Sequence, residues 1–204
     1  MVLKNIYIKV GNNMRIGIDI DNTITDTLPI IKEYCKIYND TIVKRGLTMH
    51  EDGVASYNLY DWTPEENHDF CMNYLEKAVL SAKVKENAKE VIKKLKEEGN
   101  EIYIISARIE PVFKTPYEST EKYLKENNIV YDKLIVGSLD KLAYVKEYNL
   151  DVFLEDEPRY INDISPLIPV IVFDEIFNKQ CVGNKIYKVT NWNQIYNIIN
   201  NLKK

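Results

Sequence analysis

The sequence predicts an α/β protein: a three-layer, doubly wound, mostly parallel sheet with a small helical cap inserted after the first strand. Three observations carry this. From Val84 onward, short β-rich runs alternate with amphipathic helical patterns, as crossover-connected parallel strands do. Residues 15–19 (RIGID) place apolar residues on both sides of a glycine, like a strand buried on both faces. Between about 28 and 82 the rhythm breaks into two helical segments and a long irregular link, which a compact domain seldom carries without a use.

Each element follows from its residues. After RIGID comes DNTITDT, a polar loop rich in Thr and Asp. Pro29 opens a helix in which Ile30, Ile31, Tyr34, Ile37 and Tyr38 recur at helical spacing. Residues 40–62, with Gly46 and Gly53, read as irregular. Thr63-Pro64-Glu65-Glu66 is a helix start: Thr63 caps, Pro64 suits the first turn and Glu66 completes a capping box, and the helix runs to about Ala82. A helix over 84–98 buries Val84, Ala88, Val91, Ile92 and Leu95 and stops at Gly99. EIYIIS is a strand ending at Ser106; 115–127 is helical, 133–136 a strand, 139–148 a helix, and 152–154 and 169–173 are strands. Asn191 caps a last helix that turns Trp192, Ile195, Ile198, Ile199 and Leu202 inward. The expected division is a catalytic core of 14–27 plus 83–204, a helical cap of 28–82 and an N-terminal extension of 1–13.

At 204 residues the chain is long enough for a core without cross-links. It is 45% hydrophobic and 28% charged, which excludes a disordered tail and a disulfide-rich mini-protein. Its net charge of −4 disfavours a nucleic-acid polymer as partner, since phosphate neutralisation needs a basic face. A small phosphorylated ligand needs only one or two local cations. Three cysteines without a CxxC pair indicate neither a disulfide framework nor a zinc ribbon. The N-terminus lacks a continuous apolar h-region and no apolar run approaches a membrane span, so a cytoplasmic protein with no membrane partner is expected.

The residues that point to chemistry are Asp19-Ile20-Asp21-Asn22-Thr23. Two carboxylates two residues apart, just past a buried strand, face the same way if the backbone stays extended, and ligand sites in such sheets lie at the carboxyl ends of strands. Like charges held close raise each other's pKa unless a cation separates them. Mg²⁺ suits the placement, because it takes one or two carboxylates plus phosphate oxygens. A calcium EF-hand loop counted from Asp19 fails: its sixth residue is Ile24 and its twelfth Ile30. The competing reading is a solvated turn with two chance aspartates.

Later strand ends decide between them. Ser106 ends EIYIIS, where its hydroxyl and the N–H of Ala107 can hold a phosphate. Lys141 falls in the first turn of a helix, an unfavourable place for a cation unless its ammonium reaches an anion. Glu155 and Asp156 end VFLED and add hard oxygen ligands. Singly, Ser106 is an ordinary loop hydroxyl, Lys141 a solvated lysine and Glu155-Asp156 a polar strand exit; together they share one predicted sheet edge.

In this order the residues resemble the haloacid dehalogenase-like (HAD) phosphohydrolase superfamily: DIDNT with Asp19 and Asp21, IIS with Ser106, Lys141 in LDKLAYVKEY, and VFLED with Asp156, across residues 15–156. The resemblance implies a Rossmann-type core and roles for each residue. Asp19 is the nucleophile that becomes an aspartyl-phosphate. Asp21 protonates the leaving group and later activates water, while its backbone carbonyl binds Mg²⁺. Ser106 orients phosphoryl oxygens, Lys141 neutralises charge, Asp156 is the second Mg²⁺ carboxylate and Glu155 lies at the rim. Thr23, Ala107, Arg108 and Tyr57 are assigned to the substrate. SAR (106–108) and YDKLIVGSLDK are similar to the bacterial branch of the 5'(3')-deoxyribonucleotidase-like family, which implies a nucleoside monophosphate phosphatase. Glu155-Asp156 departs from the more usual Asp-Asp pair, which puts the metal's outer shell in doubt.

Several features have two readings. Tyr57, Tyr60 and Trp62 either stack a base or form the core of the cap. Arg108 either reaches a phosphate or a cap acid, or is a surface residue. His50 and His68 lack ligand-like spacing and read as surface residues. The alternatives to a nucleotidase are a sugar or polyol phosphate phosphatase, a phosphotransferase or mutase on the same core, and a non-enzymatic phosphoryl-ligand binding module. The last is expected to lack Asp19 or Asp21, and both are present. A kinase is excluded by the missing GxxxxGK[ST] loop.

Overall fold

A computed structural model describes residues 13–203, so all but the last residue of the expected 1–13 extension lies outside the described residues. In chain order the elements are β1 (Arg15–Ile18), α1 (Thr27–Tyr38), a π-helical turn (Asn39–Val43), α2 (Ser56–Leu59), α3 (Pro64–Phe70), a second π-helical turn (Cys71–Leu75), α4 (Glu76–Leu80), α5 (Ala88–Glu97) and β2 (Glu101–Ser106). Then come α6 (Pro116–Glu126), β3 (Lys133–Val136), α7 (Lys141–Glu147), β4 (Val152–Leu154), α8 (Pro158–Ile164), β5 (Val170–Phe173), a 3₁₀ turn (Ile176–Asn178), β6 (Ile186–Val189) and α9 (Trp192–Leu202).

The strands form one six-stranded sheet in the order β3-β2-β1-β4-β5-β6, and every neighbouring pair is parallel. This order reverses direction between β1 and β4, which places a ligand crevice over their carboxyl ends. Alternation along the strands builds two cores. Ile16, Ile18, Ile102, Ile104 and Leu154 face α5, α6 and α9. Tyr103, Ile105, Phe153, Val170 and Val172 face α7 and α8. Central strands buried on both faces must be apolar throughout, which is why RIGI, EIYII and VFL read as strands.

Between β1 and β2 the helices of residues 27–80 gather around a third cluster that includes Cys35, Tyr38, Leu59, Tyr60 and Phe70. Tyr60 and Trp62 stack with ring centroids 5.4 Å apart, and Tyr38 meets Trp62 edge-on at 5.0 Å. These two aromatics therefore pack the segment's own core. The Thr63 capping box forms as expected: Thr63 Oγ1 accepts from Glu66 N at 3.3 Å, and Thr63 N donates to Glu66 Oε2 at 2.8 Å. Asn191 likewise caps α9, accepting from Gln194 N at 3.1 Å.

Some local expectations are corrected. The helix expected from Val84 starts at Ala88, because Val84 bridges Thr25, Lys85 N donates to Ile24 O at 2.8 Å, and Asn87 takes φ +62°. The irregular 40–62 stretch contains a π turn and α2, and the helix expected to run to Ala82 is divided by a π turn and ends at Leu80. Strand β6 and helix α8 are additions. β6 (IYKV) is only partly buried at the sheet's edge and lacks a clear apolar run. Among the described residues no helix is long and apolar enough to cross a membrane.

Candidate active site

The loop after β1 carries the first two acids. Asp19 N still donates to Leu154 O at 3.0 Å, so strand pairing extends one residue and sets the Asp19 side chain at the central carboxyl edge. Thr25 and Thr27 share a hydrogen bond at 2.7 Å, and Thr25 Oγ1 donates to Ile20 O at 3.1 Å, which folds the loop back toward α1. A cavity of about 450 Å³ opens there, lined on one side by Asp19, Asp21, Lys141 and Asp156 and on the other by Ile31, Leu75 and Val79.

Lys141 is the first residue of α7, whose N-cap Asp140 accepts from Ala143 N at 3.0 Å. Although only 2% exposed, its Nζ donates to Asp19 Oδ1 at 2.6 Å and to Glu155 Oε2 at 2.7 Å. The ring of Tyr160 lies 4.5 Å away. Two buried carboxylates thus offset the cost of a cation at a helix start. Burial works against the ammonium, but Asp19 and Glu155 outweigh it and hold its pKa raised.

Asp19, Glu155 and Asp156 are all buried, and one carboxylate oxygen from each lies within 4.8 Å of the others. The Lys141 ammonium pairs with two of the three, Asp19 and Glu155. Burial pushes Asp19 up to about 7, with Lys141 pulling against it and Glu155 and Asp21 adding to it. Burial, then Asp19 and Glu155, likewise push Asp156 well above the usual carboxylate range. Hard oxygen donors with surplus negative charge fit a hard divalent cation. Glu155 is already engaged: Oε1 accepts from Asp156 N and Glu157 N, both at 3.1 Å, and Oε2 from Lys141. It lines the cavity but is 1% exposed and held by these three bonds, so its expected rim position is corrected.

Asp21 faces Arg108. Nε of Arg108 donates to Asp21 Oδ2 at 3.0 Å and Nη2 to Oδ1 at 2.8 Å, while Thr27 Oγ1 donates to Oδ1 at 3.1 Å. Arg108 is buried, with Nη1 on Thr120 Oγ1 at 3.3 Å and its guanidinium 5.5 Å from the Phe113 ring. Neither the surface reading nor the cap-acid reading of Arg108 holds. Its pKa is raised, because Asp21 outweighs the opposing effect of burial.

The remaining expected site residues divide. Ala107 and Arg108 line the cavity. Ser106 is buried beside it, its Oγ accepting from Arg108 N at 3.4 Å. Thr23 is buried, and its hydroxyl has no hydrogen-bond partner among the described residues. Tyr57 is 72% exposed on α2 and does not line the cavity; its placement at the substrate is corrected, since a four-residue helix presents it to solvent. Residues to which the sequence gives no role are Asn22, bonded to Asp156, and Ser138, whose buried hydroxyl has no hydrogen-bond partner among the described residues and whose N–H donates to Ser106 O at 3.1 Å. Gly137, which takes φ +86° just before Ser138, is the local signal of a turn there.

A doubly wound sheet with these acids and this lysine at its carboxyl edge defines a haloacid dehalogenase-like hydrolase. The fold is shared with a haloacid dehalogenase-like family hydrolase from Streptococcus pneumoniae (TM-score 0.62, 10% identical, covering 92% of this chain and 98% of that one). The chain belongs to the family described as 5' nucleotidase, deoxy (pyrimidine), cytosolic type C protein (NT5C), whose sequence model matches residues 12–204. Its relatives include a nucleotidase of Clostridium acetobutylicum, 27% identical over 191 residues (93% of this chain, 95% of the relative). Another is YqfW of Bacillus subtilis, 31% identical over 194 residues (93% of this chain, 95% of the relative). It is a phosphatase of the nucleotidase type.

Proposed function

We propose that this phosphatase hydrolyses a nucleoside monophosphate through an aspartyl-phosphate on Asp19, with Mg²⁺ as cofactor. The observation that carries the reading is Lys141 Nζ, 2.6 Å from Asp19 Oδ1 inside the three-acid cluster. A buried cation there stabilises charge on a phosphoryl group arriving at Asp19.

In the first step an Asp19 oxygen attacks phosphorus, the bond to the ester oxygen breaks, and Asp21 gives the departing alcohol its proton. In the second step water attacks the phosphoryl group on Asp19, Asp21 takes the water's proton, and inorganic phosphate leaves. Arg108 and Thr27 place three donors on Asp21, which fix the orientation of its carboxylate. For the first step, one of these bonds yields to the leaving oxygen. Ser106 and the Ala107 N–H orient phosphoryl oxygens. Asp19, Asp156 and the Asp21 carbonyl would hold Mg²⁺. When bound, the ion stabilises the charge of the transferring phosphoryl.

The helical segment 28–82 acts as the cap: Ile31, Leu75 and Val79 close the cavity opposite the acids and give the nucleoside an apolar wall. A volume of about 450 Å³ lies within the range of small-molecule sites. The net charge of −4 supports a small substrate over a polymer, and free Cys35, Cys71 and Cys181 fit a cytoplasmic setting.

Phosphate release from a panel of nucleoside monophosphates and sugar phosphates, with Mg²⁺ and with EDTA, tests the reading. The expected result is metal-dependent release, fastest from nucleotides. Release indifferent to EDTA overturns the metal, and faster release from sugar phosphates overturns the substrate.

A further inference from the structure

Asn22 sits between the motif acids and the first helix. Its backbone takes φ +56°, in the left-handed region that Asn and Gly adopt most readily. This conformation lets its amide serve two neighbours. Nδ2 donates to Asp156 Oδ2 at 3.1 Å, and Oδ1 accepts from Leu28 N at 2.7 Å, in the first turn of α1. The N–H groups of a first helical turn lack intrahelical partners. Asp26, at the N-cap of α1, supplies no side-chain cap bond among the described residues, its carboxylate accepting from Lys85 Nζ at 2.6 Å instead, so Asn22 takes over that task from six residues upstream. The amide is fixed at both ends, because a flip would set its oxygen against the Asp156 carboxylate and its NH₂ against the Leu28 N–H.

The backbone of Asp156 is held independently: its N donates to Glu155 Oε1 and its O accepts from Asn178 Nδ2, both at 3.1 Å. What those bonds leave free is the rotation of the carboxylate. Among the described residues, the side-chain donor on that carboxylate is Asn22.

We propose that Asn22 is a positioning residue for the metal: by holding Asp156 Oδ2 it fixes the rotation of the carboxylate that would take Mg²⁺, and it ties that orientation to the base of α1. The inference rests on the reading of Asp156 as a Mg²⁺ ligand. Groups that orient a ligand commonly contribute about 10- to 100-fold in metal affinity.

Mg²⁺ binding to the full chain, measured by calorimetry for wild type, Asn22→Gly and Asn22→Ala, tests it without reference to turnover. Glycine keeps the left-handed backbone and removes only the amide; alanine also strains the backbone. Both variants are expected to raise the Mg²⁺ Kd by about 10- to 100-fold, with the far-UV circular dichroism of Asn22→Gly unchanged. Wild-type affinity in Asn22→Gly overturns the inference, and does so equally if Asn22→Ala alone is weakened, because the backbone would then be the cause. A wild-type chain that binds no Mg²⁺ overturns the metal reading and this inference with it.

Discussion

Arg108 closes on Asp21 with two donors, Nε on Oδ2 at 3.0 Å and Nη2 on Oδ1 at 2.8 Å. An arginine from the loop after β2 thereby supports the second acid of the loop after β1, across 87 positions of sequence. If that acid supplies the leaving group's proton, its loss must matter most where the leaving group is poor.

Asp21→Asn is therefore expected to lose a larger factor on a nucleoside monophosphate than on p-nitrophenyl phosphate, by roughly 10²-fold or more. Single-turnover rates on both substrates with Mg²⁺ titrated measure this. Asparagine keeps the backbone carbonyl, so Mg²⁺ affinity should change little. Equal losses would move the acid role to another group.

Asp19→Asn removes the attacking charge and keeps the shape. Turnover should vanish while the circular dichroism spectrum is retained. The substitution also takes one acid out of a crowded cluster, so without Mg²⁺ at pH 8 the variant should melt above the wild type. More than a small percentage of wild-type activity would refute the nucleophile.

The same crowding links stability to pH. Asp19 is raised to about 7 from an ordinary 3.8, so the folded state keeps a proton that the unfolded chain releases near 3.8. Its contribution favours folding at low pH and weakens as pH climbs from about 4 to about 7; Asp156, raised in the same direction, adds to this. Mg²⁺ must displace these protons to bind. The Tm increase at fixed Mg²⁺ should be larger at pH 8 than at pH 5.5, and equal increases would contradict the coupling.

Gly17 lies in β1 against the α7–α8 layer. A Cβ there would stand 2.5 Å from Phe153 Cε2 and 2.8 Å from Leu150 Cδ1. Gly17→Ala should cost about 1–3 kcal/mol by overpacking, read from urea unfolding. A neutral result would mean that Phe153 repacks freely.

The parts of this fold legible from sequence are those set by local pattern. β1, β2 and β4 read as strands because burial on both faces demands continuous apolar runs, and Asp19, Ser106 and Asp156 follow from where those runs end. Lys141 was marked by its unfavourable helix position, a local conflict whose resolution is tertiary. Pairings between distant segments were not legible. Arg108 announces no partner in its own neighbourhood, and Asn22 reads as a loop residue until β4 brings Asp156 beside it. Tyr57, Tyr60 and Trp62 look alike in sequence; only the packing of α1, α2 and α3 sends two inward and one to solvent.

The division of the apolar residues into separate clusters has a spectroscopic consequence. The chain has two tryptophans: Trp62 packs against the aromatic group of the helical segment, and Trp192 is enclosed in the core beneath the sheet. Trp62 also lies against Tyr38, Tyr60 and Phe70, whereas Trp192 has Phe173 as its ring neighbour at 6.3 Å. Replacing either indole with phenylalanine leaves tryptophan emission, excited selectively at the red edge where tyrosine does not absorb, from the other cluster alone. Each half of the molecule thus carries its own fluorophore, and melting of the segment over the cavity can be followed apart from melting of the sheet.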